Sequence, residues 1–106
     1  MSRTAVIIDD EPMIREVVRA LGHWDELGIE VVGEAADGEA GLELINQLEP
    51  DIVITDVKMP RLDGLSLAER LSASPRAPQI IIISGYDDFE LVRQALKCGV
   101  SDYLLK

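Results

Sequence analysis

Positive charge is scarce in this sequence. Ten Lys and Arg stand against twenty Asp and Glu, giving a net charge of −10. A surface that neutralises a phosphate backbone needs clustered cations, so direct nucleic-acid contact by this segment is not expected. Cysteine is nearly absent too: Cys98 stands alone, which leaves no disulfide framework and no cysteine-based zinc site. No apolar run approaches the length of a membrane span. The N-terminal Met1-Ser2-Arg3-Thr4 leads straight into a strand-like run with no signal peptide, so no membrane partner and a cytoplasmic location are expected. Aromatics make up only 4% of the chain, and Trp24 and Phe89 read as packing anchors rather than a ligand box. His23 falls near a helix end, away from the strand tips, and reads as a surface or capping group.

What is present is a pattern of alternation. The 106 residues are 47% hydrophobic, enough for one domain with its own core, expected over residues 1–106. Arg3–Ile8 is a short β-branched run ending at Asp9-Asp10-Glu11, with Pro12 suited to a first helical turn. Ile14, Val17, Val18 and Leu21 then recur at helical spacing, and Gly22 is a plausible stop. Ile29–Ala35 predicts a second strand, with Gly33 weakening its middle and Glu30 and Glu34 suiting a sheet edge. Asp37 predicts a cap for a helix facing inward through Gly41, Leu44, Ile45 and Leu48.

Asp51-Ile52-Val53-Ile54-Thr55-Asp56 is an apolar, β-branched run of the kind buried on both faces, and Pro60 soon breaks the chain. Asp63 predicts a third helix with Leu67, Ala68 and Leu71 inward. Residues 72–78 form a loop by composition, and Ile80–Ile83 predicts a central strand ending at Ser84-Gly85. Asp87 and Glu90 begin a fourth helix, Gly99 ends it, and Asp102–Leu105 is a fifth strand leading into Lys106. Five strands alternating with four helices predict a doubly wound parallel sheet with right-handed crossovers. The last strand has no helix after it, so the chain is expected to be a piece of a longer protein, cut before a fifth helix.

The strand tips carry the chemistry. With strand order 2-1-3-4-5, the first and third strands are neighbours, and Asp9, Asp10 and Asp56 converge at the crevice where such sheets bind ligands. Carboxylates that close disfavour ionisation unless a cation lies between them, and a hard divalent ion that keeps several waters, Mg²⁺, suits the oxygen-only set. Acids plus a metal invite a phosphoryl group. Ser84 offers a hydroxyl donor to it, Lys106 a positive charge, and Asp56 is placed to act as the nucleophile that becomes an acyl phosphate. Each residue has a blander role available: Asp9 or Asp10 can cap the first helix, Ser84 the fourth, and Lys106 can be a solvated strand end.

The set Asp9-Asp10-Glu11-Pro12, Asp56-Val57-Lys58-Met59-Pro60, Asp63-Gly64, Ser84-Gly85-Tyr86 and Asp102-Tyr103-Leu104-Leu105-Lys106 resembles the receiver domain of two-component response regulators, from the first strand to the fifth. The resemblance implies a flavodoxin-like five-stranded parallel α/β fold and a phosphorelay role in signal transduction. It implies that Asp56 accepts phosphate from a sensor histidine kinase. It also implies that Asp10, Asp56 and the backbone carbonyl of Lys58 bind Mg²⁺, with Asp9 acting partly through water. Ser84 and Lys106 would contact the phosphoryl oxygens, and Tyr103 would be the switch aromatic, turning toward space vacated by Ser84 and reshaping the surface of the fourth helix and fifth strand. Such a domain is not an enzyme, catalysing only its own phosphotransfer and dephosphorylation. Residues 24–35 and 84–90 resemble receivers fused to AraC-type helix-turn-helix domains, implying a C-terminal DNA-binding output domain; a homodimer is a further expectation.

Two rival readings use similar parts. A haloacid-dehalogenase-type phosphatase also forms an aspartyl phosphate, but places a second Asp two residues after the first, where this chain has Glu11. A flavodoxin-like flavin or nucleotide module needs a Gly/Ser/Thr-rich phosphate cradle after the first strand, and Asp9-Asp10-Glu11 would repel the phosphate there.

Overall fold

The computed structural model describes residues 3–22, 24–57, 62–73, 77–84, 93–94, 97 and 102–105, with Leu21, Ser84 and 102–105 described by backbone placement. The elements follow as β1 (Arg3–Ile8), α1 (Pro12–Leu21), β2 (Ile29–Ala35), α2 (Gly38–Leu48), β3 (Ile52–Thr55), α3 (Gly64–Ser72), β4 (Gln79–Ser84) and β5 (Asp102–Leu105). Residues 93, 94 and 97 are helical, and the rest of the fourth predicted helix lies outside the described residues.

The five strands form one parallel sheet in the order β2-β1-β3-β4-β5, as the alternation predicts. Parallel neighbours need a crossover long enough to return the chain to its starting edge, and α1, α2 and α3 supply it for the first four strands. β3 is buried along its whole length, because the sheet covers its two sides and side chains cover its two faces. One face packs Val6, Ile8, Val53, Ile80 and Ile82 against Ile45 of α2 and Leu67, Ala68 and Leu71 of α3. The other packs Ala5, Ile7, Ile52 and Ile54 against Val18 of α1 and against Trp24. The Trp24 indole N–H also donates to the Val18 carbonyl at 3.2 Å, satisfying an acceptor in the last turn of α1.

The predicted caps are present. The Asp37 carboxylate accepts from the Ala40 amide and Asp63 from the Ser66 amide, both at 2.8 Å. Two predicted inward positions differ. Val17 is 46% exposed, because α1 turns Arg15 rather than Val17 toward β2, where the guanidinium meets acceptors. Leu48 is 41% exposed, since the last turn of α2 lies over the edge strand β2.

β2 is not regular. Its pairing with β1 shifts between Ala5 and Val6, so that Ala5 faces Val31 while Val6 faces Gly33. The extra residue is a bulge, and it exchanges the faces of everything after it. Glu34 thereby pairs with Ile7 and lies on the α1 side, and Ala35 pairs with Ile8 on the α2 side. Among the described residues no helix is long and apolar enough to cross a membrane.

Candidate functional site

β1 and β3 run side by side in register, Ile8 opposite Thr55, and the ladder continues one step through the Asp56 amide to the Ile8 carbonyl at 3.1 Å. The next residues on the two strands are Asp9 and Asp56. Both are buried, at 3% and 6% exposure, on strands whose spacing is about 4.8 Å. Asp10 and Glu11 follow Asp9 into the loop and remain exposed. Carboxylate oxygens of Asp9, Asp10, Glu11 and Asp56 all lie within 4.8 Å of one another.

Local hydrogen bonds hold these groups in place. Asp56 Oδ1 accepts from the Val57 amide at 2.7 Å, so the carboxyl group cannot turn freely about its own axis. Asp9 Oδ1 accepts from the Glu11 amide at 3.0 Å, a turn two residues long just before α1. Asp9 is thus a turn-former and a member of the cluster at once. The N-cap of α1 is Glu11, whose side chain makes no capping bond and extends into the cluster instead.

Two glycines let the loops close over the site. A Cβ on Gly64 would fall on the Asp56 carbonyl oxygen, while the Gly64 amide donates to Val57 O at 2.7 Å. A Cβ on Gly38 would fall on the Leu62 carbonyl oxygen. Only a residue without a side chain permits backbone approach this close.

Arg15 closes the far side. Its Nη1 donates to the Asp9 carbonyl at 2.5 Å, and its Nε to Glu34 Oε1 at 3.2 Å. Arg19 holds the other Glu34 oxygen at 3.0 Å.

Of the residues expected at the site, Asp9, Asp10 and Asp56 are brought together. Ser84 ends β4 with its backbone paired to Leu105 of β5, and β4 lies beside β3, the strand that leads into Asp56. Tyr103 pairs in backbone register with Ile82. Lys58, Tyr86, Lys106, His23 and Cys98 lie outside the described residues. Glu11 was not expected in the cluster, and the acidic triplet itself was its only signal. A cavity of about 680 Å³ opens at the opposite end of the sheet, lined by Arg3, Asp51, Arg70 and Gln79 among others, well apart from the carboxylate cluster.

The donor set fits a hard divalent cation, since every ligand is a carboxylate oxygen. Oxygens bound directly to Mg²⁺ lie about 2.0–2.1 Å from it, hence no more than about 4.2 Å apart across the ion. Asp9, Asp10, Glu11 and Asp56 are the described residues whose oxygens could hold such an ion.

Comparison with known proteins gives the arrangement its family. The profile of the response regulator receiver domain family matches residues 5–106. YesN, an uncharacterized transcriptional regulatory protein of Bacillus subtilis, is 42% identical over 101 residues, covering 95% of this chain and 27% of YesN. HptR, a transcriptional regulatory protein of Staphylococcus aureus, is 40% identical over 101 residues, covering 95% of this chain and 39% of HptR. The chain therefore spans well under half the length of these relatives. The REC domain of AraT, a response regulator from Geobacillus stearothermophilus, superposes with a TM-score of 0.91 at 40% identity, covering all of this chain and 82% of that one. These likenesses favour the receiver reading over the phosphatase and flavin-module alternatives. Adjacent strand-tip carboxylates, the 2-1-3-4-5 sheet and a family match over nearly every residue lead to one assignment: the chain belongs to the response regulator receiver domain family of two-component signal transduction.

Proposed function

We propose that Asp56 is the phosphoacceptor of this receiver domain, that Asp9, Asp10 and Asp56, with the Lys58 backbone carbonyl, hold Mg²⁺, and that residues 1–106 form the domain. The observation that carries this reading is the meeting of buried Asp9 and Asp56 with Asp10 within 4.8 Å at the tips of neighbouring strands. Bound Mg²⁺ would offset the carboxylates' mutual repulsion and the charge on an incoming phosphoryl group. The Val57 amide fixes one oxygen of Asp56, so the carboxylate presents its other oxygen in a constant direction. That oxygen attacks the phosphorus of a kinase phosphohistidine. The O–P bond forms as the P–N bond breaks, leaving an aspartyl phosphate and a free imidazole.

Ser84 and Lys106 would contact the phosphoryl oxygens from the β4 and β5 side. New acceptor oxygens draw donors toward them, so Ser84 would shift and Tyr103, on the strand beside it, would turn. The changed surface lies on β5 and the fourth helix. It would pass the signal to a C-terminal output domain, of AraC type by resemblance, or to a second copy in a homodimer, in a cytoplasmic transcription regulator fed by a sensor histidine kinase. In a Tyr103→Ala variant, phosphate uptake would persist while the amide NMR shifts that phosphorylation produces in β4 and β5 would shrink. Undiminished shifts would place the switch elsewhere.

The decisive experiment is mass spectrometry after incubation with acetyl phosphate and Mg²⁺. One phosphoryl group should appear on the wild type, none on Asp56→Asn, and none on the wild type in EDTA. Uptake by Asp56→Asn at the wild-type rate would overturn the assignment.

A further inference from the structure

We propose that Arg15 is a positioning residue for the cation site, with Glu34 holding it in place: Arg15 fixes the peptide that joins Asp9 to Asp10, and so the directions in which both carboxylates point. The proposal rests on the cation-site reading above.

Three polar groups of Asp9 are engaged, by the end of β2, by the turn that leads into α1 and by α1 itself. Its amide donates to the Ala35 carbonyl at the end of β2 (3.0 Å), its Oδ1 accepts from the Glu11 amide, and its carbonyl accepts from Arg15 Nη1. The carbonyl belongs to the Asp9–Asp10 peptide plane, which cannot rotate without breaking the Arg15 bond. Arg15 is itself restrained. Its Nε bonds Glu34 Oε1 at 3.2 Å, Arg19 Nε lies 3.0 Å from Glu34 Oε2, and Arg19 Nη2 reaches the Val31 carbonyl at 3.3 Å. The Arg15 side chain is 19% exposed and Glu34 30%.

The β2 bulge makes this bracket possible. In an unshifted strand Glu34 would face α2; the added residue pairs it with Ile7 and turns it to α1, where Arg15 and Arg19 wait. A plain clasp between α1 and the edge strand would need only the Arg–Glu pairs. The bond to the Asp9 carbonyl is surplus to that purpose and acts on the site itself. Partners that orient ligands from behind typically alter metal affinity by about 10–100-fold when removed, and a bond to the ligand's backbone belongs at the lower end of that range.

The test is titration of Mg²⁺ into the unphosphorylated chain, followed by calorimetry and amide NMR, together with the rate of phosphate uptake from acetyl phosphate against Mg²⁺ concentration. Arg15→Met keeps the aliphatic stem and removes the donors. It should weaken Mg²⁺ binding by about tenfold and shift the half-saturating Mg²⁺ concentration to match, leaving the uptake rate at saturation near wild type. Arg15→Lys, still able to donate to the Asp9 carbonyl, should recover part of the loss, and Glu34→Gln should weaken binding in the same direction by less. Mg²⁺ affinity in folded Arg15→Met within about twofold of wild type would overturn the proposal, as would a lowered plateau with an unmoved half-saturation point. If Arg15→Met does not fold, Glu34→Gln decides by the same two readouts. A wild type that takes up no Mg²⁺ would bring down the cation-site reading itself, an outcome distinct from these.

Discussion

Asp51 and Asp56 bracket the same strand, β3, and their surroundings could hardly differ more. Asp51, at the N-terminal end, is exposed. Its Oδ2 accepts from the Thr4 amide at 2.8 Å, while its own amide and carbonyl continue the ladders to Thr4 and Gln79. The nearby cavity is lined by Arg3 and Arg70 as well as by Asp51. Asp56, at the other end, is 6% exposed and shares its corner with three more carboxylates. The first aspartate serves the fold, anchored by the Thr4 amide. The second is crowded by groups of its own sign, an arrangement that suits the cation site and phosphoryl transfer proposed above. An Asp at a strand end therefore says little alone; the strand's direction and the charge of its neighbours separate a structural acid from a reactive one.

The largest expected effect breaks the comparison outright if it fails. Asp56→Asn should abolish phosphate uptake from acetyl phosphate, whereas the matched Asp51→Asn should take up one phosphoryl group at close to the wild-type rate, both read by mass spectrometry. A loss of uptake in Asp51→Asn would mean that the two ends of β3 are not functionally separate.

How far this contrast was legible beforehand depends on what each feature needs. The strands were readable because apolar β-branched runs stop at Asp9, Asp56 and Ser84, and the caps because Asp37 and Asp63 each precede a helical pattern. Convergence of Asp9, Asp10 and Asp56 followed from strand order, a property of the whole pattern. The bulge in β2 did not follow. Gly33 signalled weakness, but a one-residue shift is set by pairing against β1, which local sequence does not encode. Glu34 reads as an outward edge residue and Val17 as an inward one, whereas the structure ties Glu34 to Arg15 and leaves Val17 46% exposed. Long side chains reaching across elements leave no periodic trace.

A middle-sized effect sharpens the contrast at the level of backbone. Gly64→Ala puts a methyl group on the Asp56 carbonyl oxygen, a backbone atom that cannot step aside without moving the chain at the end of β3. A destabilisation of about 2 kcal/mol in urea unfolding is expected, with slower phosphate uptake in the molecules that remain folded. The cap substitution one residue earlier, Asp63→Ala, removes the bond to the Ser66 amide and should cost about 1 kcal/mol without altering the uptake rate. Equal effects of the two on uptake would show that the loop tolerates displacement and that Gly64 is there for the turn alone.

The smallest effect is the most discriminating, because the two aspartates should differ in sign. In EDTA at low ionic strength, Asp51→Asn exchanges a charge-assisted acceptor for a neutral one and should lose about 0.5–1 kcal/mol of stability. Asp56→Asn keeps an oxygen for the Val57 amide and removes one of four crowded negative charges, so it should gain about 1 kcal/mol under the same conditions. Salt should shrink the gain at Asp56, since exposed Asp10 and Glu11 leave part of the repulsion open to screening. Saturating Mg²⁺ should reverse the ranking of wild type and Asp56→Asn. A ligand at 100 times its dissociation constant stabilises the folded state by about 2.7 kcal/mol, and the variant with one ligand fewer receives less of it. Urea unfolding of the three proteins with and without Mg²⁺ reads all of these signs. Destabilisation by Asp56→Asn in EDTA would show that the corner is held by attractive contacts of Asp56 that outweigh its repulsion from Asp9, Asp10 and Glu11. The physical distinction between the two ends of β3 would then collapse, even if the chemical one survived.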